Sequence, residues 1–358
     1  MRNIKATALC FALGLTYGSS LSAYEGAPLL ISEVPHNQVY TEEHIAQVKK
    51  LSVAALKGGA EDSLVNEYLL FKKISDLNSE ELSQDDINFL KQATIHKVTA
   101  YKQHPEGPIA IPIFDISSLA RHKLFMNEVH SKKPEFVTLL QTNPSLFAET
   151  STKNLVNLHT AKGLLQNSPS LPISTIDLLV ANYKDHDNPD SLKLLEVLVE
   201  NSGSYKAAQA LLNSPYNSPV KHQLLIRLGQ YFSDHEREAL LTELISNRTR
   251  LAPQALIEYG KLPQSVLNRD ILYSHLSDET LGASSAFALS QFIKDNSDYS
   301  SIVDFLRQHP ASRYAVANCL LALKLANTPE SKALLRDILE QGHIQFEDIK
   351  AEVGTWLN

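Results

Sequence analysis

Apolar residues recur at helical spacing in short segments from about residue 153 to the C-terminus, with polar turns between them. Two segments show the pattern best, Ala283-Ser-Ser-Ala-Phe-Ala-Leu-Ser-Gln-Phe-Ile-Lys294 and Ser312-Arg-Tyr-Ala-Val-Ala-Asn-Cys-Leu-Leu-Ala-Leu-Lys324. Alternation of β-branched residues is almost absent, and glycine is sparse. The pattern therefore predicts an all-α chain of short amphipathic helices packed in tandem.

Helix starts in this region carry a recurring signal, a capping residue followed by proline at the first helical position. Proline suits that position because its missing N–H would have no partner inside the helix anyway. Aspartates supply two further caps. The signal predicts helix starts at Asn143-Pro144, Asn188-Pro189, Ser218-Pro219 and Thr328-Pro329, and near Asp234 and Asp278.

The N-terminal third is also predicted to be helical, apart from two segments. Residues 24–40 lack periodicity and contain Pro28 and Pro35, so we expect an extended arm. One helix should begin at Thr41 and end at Gly58-Gly59, and a second should cover residues 64–74. A third begins with a capping-box-like Ser83 and carries its apolar face as far as Val98, and helical segments at 118–129 and 134–140 follow.

The second non-helical segment is the strap, residues 104–116, His-Pro-Glu-Gly-Pro-Ile-Ala-Ile-Pro-Ile-Phe-Asp-Ile. Its prolines and glycine forbid a helix, yet its isoleucines are too apolar for a free linker. We expect an extended, buried segment at the boundary between the N-terminal helices and the tandem region. Asp115 at its end could act as an acid or base, but a helix cap is the favoured interpretation.

The tandem region shows degenerate internal similarity. Leu164-Leu165-Gln-Asn-Ser-Pro169 recurs as Leu211-Leu212-Asn-Ser-Pro215, and Ala286-Phe-Ala288 recurs as Ala315-Val-Ala317, at unequal offsets. Small alanines on one helix of a pair allow close approach, and bulky residues on the other fill the groove. Such a pair cannot bury its apolar face without the next pair.

The segment Pro310-Ala-Ser-Arg-Tyr-Ala-Val-Ala-Asn-Cys-Leu-Leu-Ala-Leu323 resembles the first helix of a HEAT repeat. Thr328-Pro-Glu-Ser-Lys-Ala-Leu-Leu-Arg-Asp-Ile-Leu339 resembles the second helix. The similarity covers residues 283–340 and extends loosely over 153–280. It implies an irregular right-handed α-solenoid, with a tetratricopeptide-like array or a curved bundle left open. The motif is structural, so it implies no catalytic residue.

Residues 1–23 have the arrangement of a secretory signal. Arg2 and Lys5 precede a short apolar core, and small residues end at Ala23. The expected domains are therefore a leader (1–23), the arm (24–40), a helical N-terminal part with the strap (41–150) and the tandem region (151–358). We expect an exported protein, periplasmic or extracellular, without a membrane-spanning segment after cleavage.

The charge balance restricts the class of partner. The formal net charge is −7, and removal of the leader makes the remainder more acidic. Such a chain is a poor candidate for binding nucleic acid. Only Cys319 remains after cleavage, which excludes an internal disulfide, and its Ala/Leu-rich surroundings indicate a buried apolar position.

Candidate chemistry is sparse. No phosphate loop, zinc-binding His pair, Cys-x-x-Cys or nucleophile elbow occurs, so no cofactor, metal or catalytic residue is predicted. Asp185-His-Asp187 is the densest group of potential ligands, and it falls in a polar turn. Tyrosines and arginines of the tandem region should mainly pack or face solvent. For binding a partner that bears carboxylates, the candidate residues are Arg227, Tyr231, Tyr259, Arg269 and Tyr314.

Two functional hypotheses follow. The first is a non-enzymatic module that binds a peptide or protein on the helical array, based on the tandem pattern and the missing catalytic motifs. The second is a hydrolase-type envelope enzyme with its site near Asp115, based only on the unusual strap. Self-assembly through open ends of the array is a weaker third.

Overall fold

A computed structural model describes residues 28–50, 62–168, 170–185, 188–296 and 299–357. The chain divides into two compact units, residues 1–128 and 129–358. The described residues form eighteen α-helices and one two-stranded sheet, so the protein is all-α. The expected leader and the Gly58-Gly59 helix end lie outside the described residues.

The first unit holds helices α1 (Glu42–Lys50), α2 (Ser63–Asp76), α3 (Gln84–Ala93) and the start of α4 (Ile116–Thr142). Thr41 and Ser83 cap α1 and α3, as their sequences predict, and Asp86 completes a capping box with Ser83. Buried apolar residues of these helices meet around Phe114, whose ring lies 5.1 Å from that of Phe71.

The predicted strap is one arm of a β-hairpin. Strands β1 (Tyr101–Gln103) and β2 (Ala110–Pro112) pair antiparallel, with Lys102 opposite Ile111. The N-terminal arm lies against the hairpin, because the Ile31 amide donates to the Pro108 carbonyl and the Tyr40 amide to the Tyr101 carbonyl. The hairpin lies inside the first unit.

Helix α3 is shorter than its apolar pattern predicts and ends at Ala93 instead of Val98. The buried Glu67 of α2 explains the difference. Its Oε1 accepts the Thr99 amide at 2.5 Å and the Thr99 hydroxyl at 3.1 Å, and it lies 3.2 Å from His96 Nε2. A buried carboxylate needs such donors, so the chain leaves the helix to supply them.

The segments at 118–129 and 134–140 form one continuous helix, α4, with Pro134 inside it. Proline removes one helical donor, and the helix continues beyond it. Side chains add local bonds here, since Thr138 Oγ1 donates to the Pro134 carbonyl at 3.0 Å.

The second unit holds the end of α4 and fourteen further helices: α5 (Pro144–Ser151), α6 (Leu155–Gln166), α7 (Ile173–Asp185), α8 (Ser191–Ser202), α9 (Tyr205–Asn213), α10 (Pro219–Arg227), α11 (Asp234–Ser246), α12 (Ala252–Tyr259), α13 (Arg269–His275), α14 (Gly282–Asn296), α15 (Ser300–Gln308), α16 (Arg313–Ala326), α17 (Pro329–Glu340) and α18 (Glu347–Leu357).

Three of the predicted starts in this unit are confirmed with both the cap and the proline. Asn143, Ser218 and Thr328 each cap a helix that has proline in its first turn. Asn188 does not start a helix, because its side chain accepts the Asp190 amide in a turn and α8 begins at Ser191. The cap of α11 is Ser233, one residue before the predicted Asp234.

Most helices of the second unit form two rows of successive contacts, and α13, α15 and α17 belong to neither row. Helices α5, α7, α9 and α11 each contact the next in one row. Helices α6, α8, α10, α12, α14, α16 and α18 do so in the other. Side chains from both rows form one hydrophobic core, which includes the fully buried, unpaired Cys319 predicted from its surroundings. Burial raises the pKa of the Cys319 thiol, which keeps it protonated.

Candidate binding groove

A groove of about 930 Å³ lies in the second unit, along the row formed by α7, α9 and α11. Ala181 of α7 and Ala210 of α9 stand on its walls, where their small side chains leave space between the helices. Leu192 and Leu195 of α8 lie beneath. We call this site the polar groove, because hydrogen-bonding side chains line much of the rest of it.

A carboxylate–amide network forms one wall. Glu243 of α11 accepts from Gln209 Nε2 at 2.7 Å and from Asn213 Nδ2 at 3.0 Å, one bond at each oxygen. Gln209 and Asn213 are one turn apart on α9, so both amides face α11. Asn213 Nδ2 also donates to the Gln209 carbonyl at 3.0 Å, which restricts its rotation.

An ion pair crosses from α7 to α9. Lys206 Nζ lies 2.6 Å from Asp177 Oδ2, with both side chains well exposed to solvent. An exposed pair of this kind contributes at most about 1 kcal/mol to stability. It nevertheless neutralises Asp177 within the groove.

Tyr183 lies at the floor of the polar groove with 1% of its surface exposed. Its hydroxyl oxygen forms no hydrogen bond of regular geometry among the described residues. Burial raises the pKa of Tyr183, and an interaction with the Ser151 side chain opposes this. The Ser151 hydroxyl donates its own proton to the Phe147 carbonyl at 2.6 Å, so towards the phenol it can act only as an acceptor.

A buried lysine forms hydrogen bonds to the loop at one end of the groove, residues 214–216. Lys221 Nζ of α10 donates to the Ser214 carbonyl at 2.5 Å and to the Tyr216 carbonyl at 3.3 Å. Burial lowers the pKa of Lys221, and nearby Arg250 lowers it further. Pro215, the last residue of the repeated Leu-Leu-Asn-Ser-Pro sequence, lies in this loop, so the repeated sequence covers the end of α9 and the turn that follows it.

Two of the five predicted binding residues, Arg227 and Tyr231, lie together elsewhere. Arg227 Nη1 is 3.4 Å from the Tyr231 hydroxyl, and the guanidinium pairs with Glu200 at 3.0 Å and Glu196 at 3.3 Å. Burial raises the pKa of Glu196, and Glu200 beside it adds to the effect. A smaller pocket of about 590 Å³ opens here and includes Arg227 but not Tyr231.

The other three predicted binding residues line neither pocket. Tyr259 is fully buried, and its hydroxyl accepts the Asn268 amide at 3.0 Å, so it offers no surface to a partner. Arg269 Nη1 donates to Ser301 Oγ at 3.3 Å. Tyr314 is 48% exposed and donates to Glu279 at 3.0 Å.

Asp115 caps α4, because its Oδ1 accepts the Ser118 amide at 3.0 Å. This agrees with the favoured interpretation of that residue. Across the described ranges, no three His, Cys, Asp or Glu side chains gather as metal ligands. The Asp185-His-Asp187 group lies partly outside those ranges. None of the described helices is long and apolar enough to cross a membrane.

The residues of the polar groove were not found from the sequence. Gln209 and Asn213 share a helix face, which is a weak signal by itself. Glu243 is far from both along the chain, and no motif connects them. Comparison with protein-family models, with curated proteins and with solved structures gave no match.

Proposed function

We propose that this chain is an exported interaction module that holds an extended segment of a partner polypeptide in the polar groove. The observation that carries the proposal is the groove itself, an open channel of about 930 Å³ whose wall presents preorganised amide and carboxylate groups. Backbone and side-chain amides of a peptide match such groups, and water-mediated contacts suit a site of mixed polarity.

We further propose that the second unit is an α-solenoid of the HEAT type. Two rows of helices in which each helix contacts the next in its row, and one core running through both, support this reading. The small-residue pattern of residues 283–340, which resembles HEAT repeats, also supports it. Solenoids present long continuous surfaces, which suit the binding of extended segments.

Export rests on the secretory signal at residues 1–23. N-terminal sequencing of the protein recovered from the envelope or medium of an exporting cell tests it. The mature chain should start near Tyr24. Recovery of the intact N-terminus from the cytoplasm would contradict export.

The hydrolase alternative near Asp115 loses its motivation. It was based on the unusual strap, which is one arm of a β-hairpin, and the Asp115 carboxylate caps α4 through its hydrogen bond from the Ser118 amide.

Peptide binding is tested by filling the groove. Peptides that bind the purified protein would be selected from a random display library, and their affinities for wild type and for Ala181→Trp would be compared. Ala181 is exposed on the groove wall, so tryptophan can replace it without disturbing the core. We expect affinity to fall by about tenfold or more, a loss of ~1.4 kcal/mol. The matched control is Lys332→Trp, at an exposed position on α17. Peptides that bind wild type and Ala181→Trp equally would contradict the proposal.

A further inference from the structure

Glu243 lines the polar groove and forms no ion pair with a cationic side chain among the described residues. Its two hydrogen bonds come from neutral amides, Gln209 and Asn213. A carboxylate offers about four lone-pair positions, so roughly half of its accepting capacity is left. Two lysines line the groove, of which Lys206 is engaged by Asp177, and among the described residues neither forms an ion pair with Glu243.

Acidic side chains of α11, including Glu243, act on the neighbouring Tyr205 of α9. Burial raises the pKa of the Tyr205 phenol, and Glu243, Glu236 and Glu238 raise it further. Asp177, the other acid lining the groove, is already paired at 2.6 Å. An anionic group entering the groove therefore meets repulsion at Glu243, whereas a cation meets an acceptor that is already oriented.

The space beside Glu243 suits the stem of a long cationic side chain. Ala210 of α9 and Leu195 of α8 line the groove with apolar atoms, and Tyr216 stands at the loop end. Lysine and arginine bury their methylene stems along such surfaces while the charged end keeps its hydrogen bonds.

We infer that the polar groove selects polypeptide segments carrying a lysine or arginine side chain, and that Glu243, held by Gln209 and Asn213, binds the cationic group. The inference rests on the proposed peptide-binding function and adds the class of residue that is recognised. Glu243 is the specificity-determining residue, and the two amides position it.

The test uses blocked hexapeptide pools, acetylated and amidated so that no terminal charge is present. The central position is Lys, Arg, Gln, norleucine or Glu, and the remaining positions are random among neutral residues. Fluorescence anisotropy with the purified protein gives the affinity of each pool. We expect the Lys and Arg pools to bind about tenfold more tightly than the Gln and Glu pools, the size of one charge-assisted hydrogen bond.

Glu243→Gln keeps an acceptor for the amides and removes the charge. We expect it to bind the Lys and Gln pools about equally. Glu340→Gln, at an exposed position on α17, removes the same charge elsewhere and should keep the preference. A thermal melt checks the fold of both variants. If Glu243→Gln does not fold, competition on wild type by a blocked Lys peptide against its norleucine analogue decides the same question.

The outcomes separate the two proposals. Equal binding of the Lys, Arg and Gln pools to wild type would overturn cation selection and leave peptide binding intact. No binding of any pool would overturn both. Small amines, N-acetyl-lysine amide and spermidine, would be added as competitors of the Lys pool. If they displace it at concentrations near the dissociation constant of the peptides, the groove is a site for small amines, and recognition of a polypeptide is overturned.

Discussion

Gly260 at the end of α12 lies directly against Ala288 of α14. A methyl group built on Gly260 would stand 2.7 Å from both Cα and Cβ of Ala288 and 2.8 Å from its carbonyl oxygen. The backbone of Gly260 is helical, with φ −62°, so the glycine is needed for space and not for its conformational freedom. Successive helices of one row, α12 and α14, therefore depend here on contact between backbones.

Gly260→Ala should destabilise the protein. The atoms of Ala288 that meet the new methyl group are backbone and Cβ atoms that cannot rotate away, so α12 and α14 must separate. We expect the free energy of unfolding to fall by about 1–3 kcal/mol, the usual range for overpacking, measured by urea denaturation.

Gly163→Ala in α6 is the matched control. A methyl at Gly163 would meet no atom within 4 Å. Alanine is the better helix former, so this variant should gain up to about 1 kcal/mol. Equal effects of the two substitutions would show that close approach at Ala288 does not limit stability.

Tyr183→Phe should stabilise the protein. Its buried hydroxyl forms no hydrogen bond of regular geometry among the described residues, and deleting it removes a desolvation cost of about 1 kcal/mol. Tyr259→Phe is the matched comparison, since the Tyr259 hydroxyl is also buried but accepts the Asn268 amide at 3.0 Å. We expect Tyr259→Phe to lose about 1 kcal/mol. Thermal and urea unfolding of both variants measures this. A loss of stability in Tyr183→Phe would contradict the unpaired state of its hydroxyl.

Lys221→Met should loosen the loop at residues 214–216. Methionine fills similar volume but cannot donate to the carbonyls of Ser214 and Tyr216. We expect a loss of about 2 kcal/mol in unfolding free energy, together with faster amide hydrogen exchange in the loop. Lys332→Met, at an exposed position, should change neither. If amide hydrogen exchange in the 214–216 loop is the same in Lys221→Met as in wild type, Lys221 does not hold the loop in place.

Asp278 should make stability depend on pH in acid. Its carboxylate accepts bonds from the Thr280 amide and hydroxyl, both at 2.8 Å, the Leu281 amide at 3.1 Å and Arg248 at 2.5 Å. Burial raises the pKa of Asp278, but these bonds outweigh it and hold the pKa well below its usual range. The folded state therefore favours the ionised form.

The contribution of Asp278 is complete above the unfolded pKa of about 4 and is lost as the pH falls through the lower folded pKa. Asp278→Asn should be less stable than wild type at pH 7, and the difference should narrow steadily from pH 5 to pH 2. Urea denaturation at each pH measures it, with the exposed Asp337→Asn as control. A difference that stays constant over this range would contradict the depressed pKa.

Features set by local bonds could be predicted from the sequence. A capping side chain bonds to amides two or three residues away, so the helix starts after Asn143, Ser218 and Thr328 were correct. The same reasoning identified Asp115 as a cap and Cys319 as buried. The all-α class follows from the same periodicity.

Features that depend on distant partners were decided only by the tertiary structure. Helix α3 ends early because Glu67 takes the Thr99 amide, and the strap is a hairpin because it pairs with residues before it in the chain. The polar groove is the clearest case. Glu243 meets Gln209 only because α11 packs beside α9, and neither helix carries a local signal of that contact. Periodicity specifies which face of a helix is buried, whereas side-chain packing selects the neighbour that covers it.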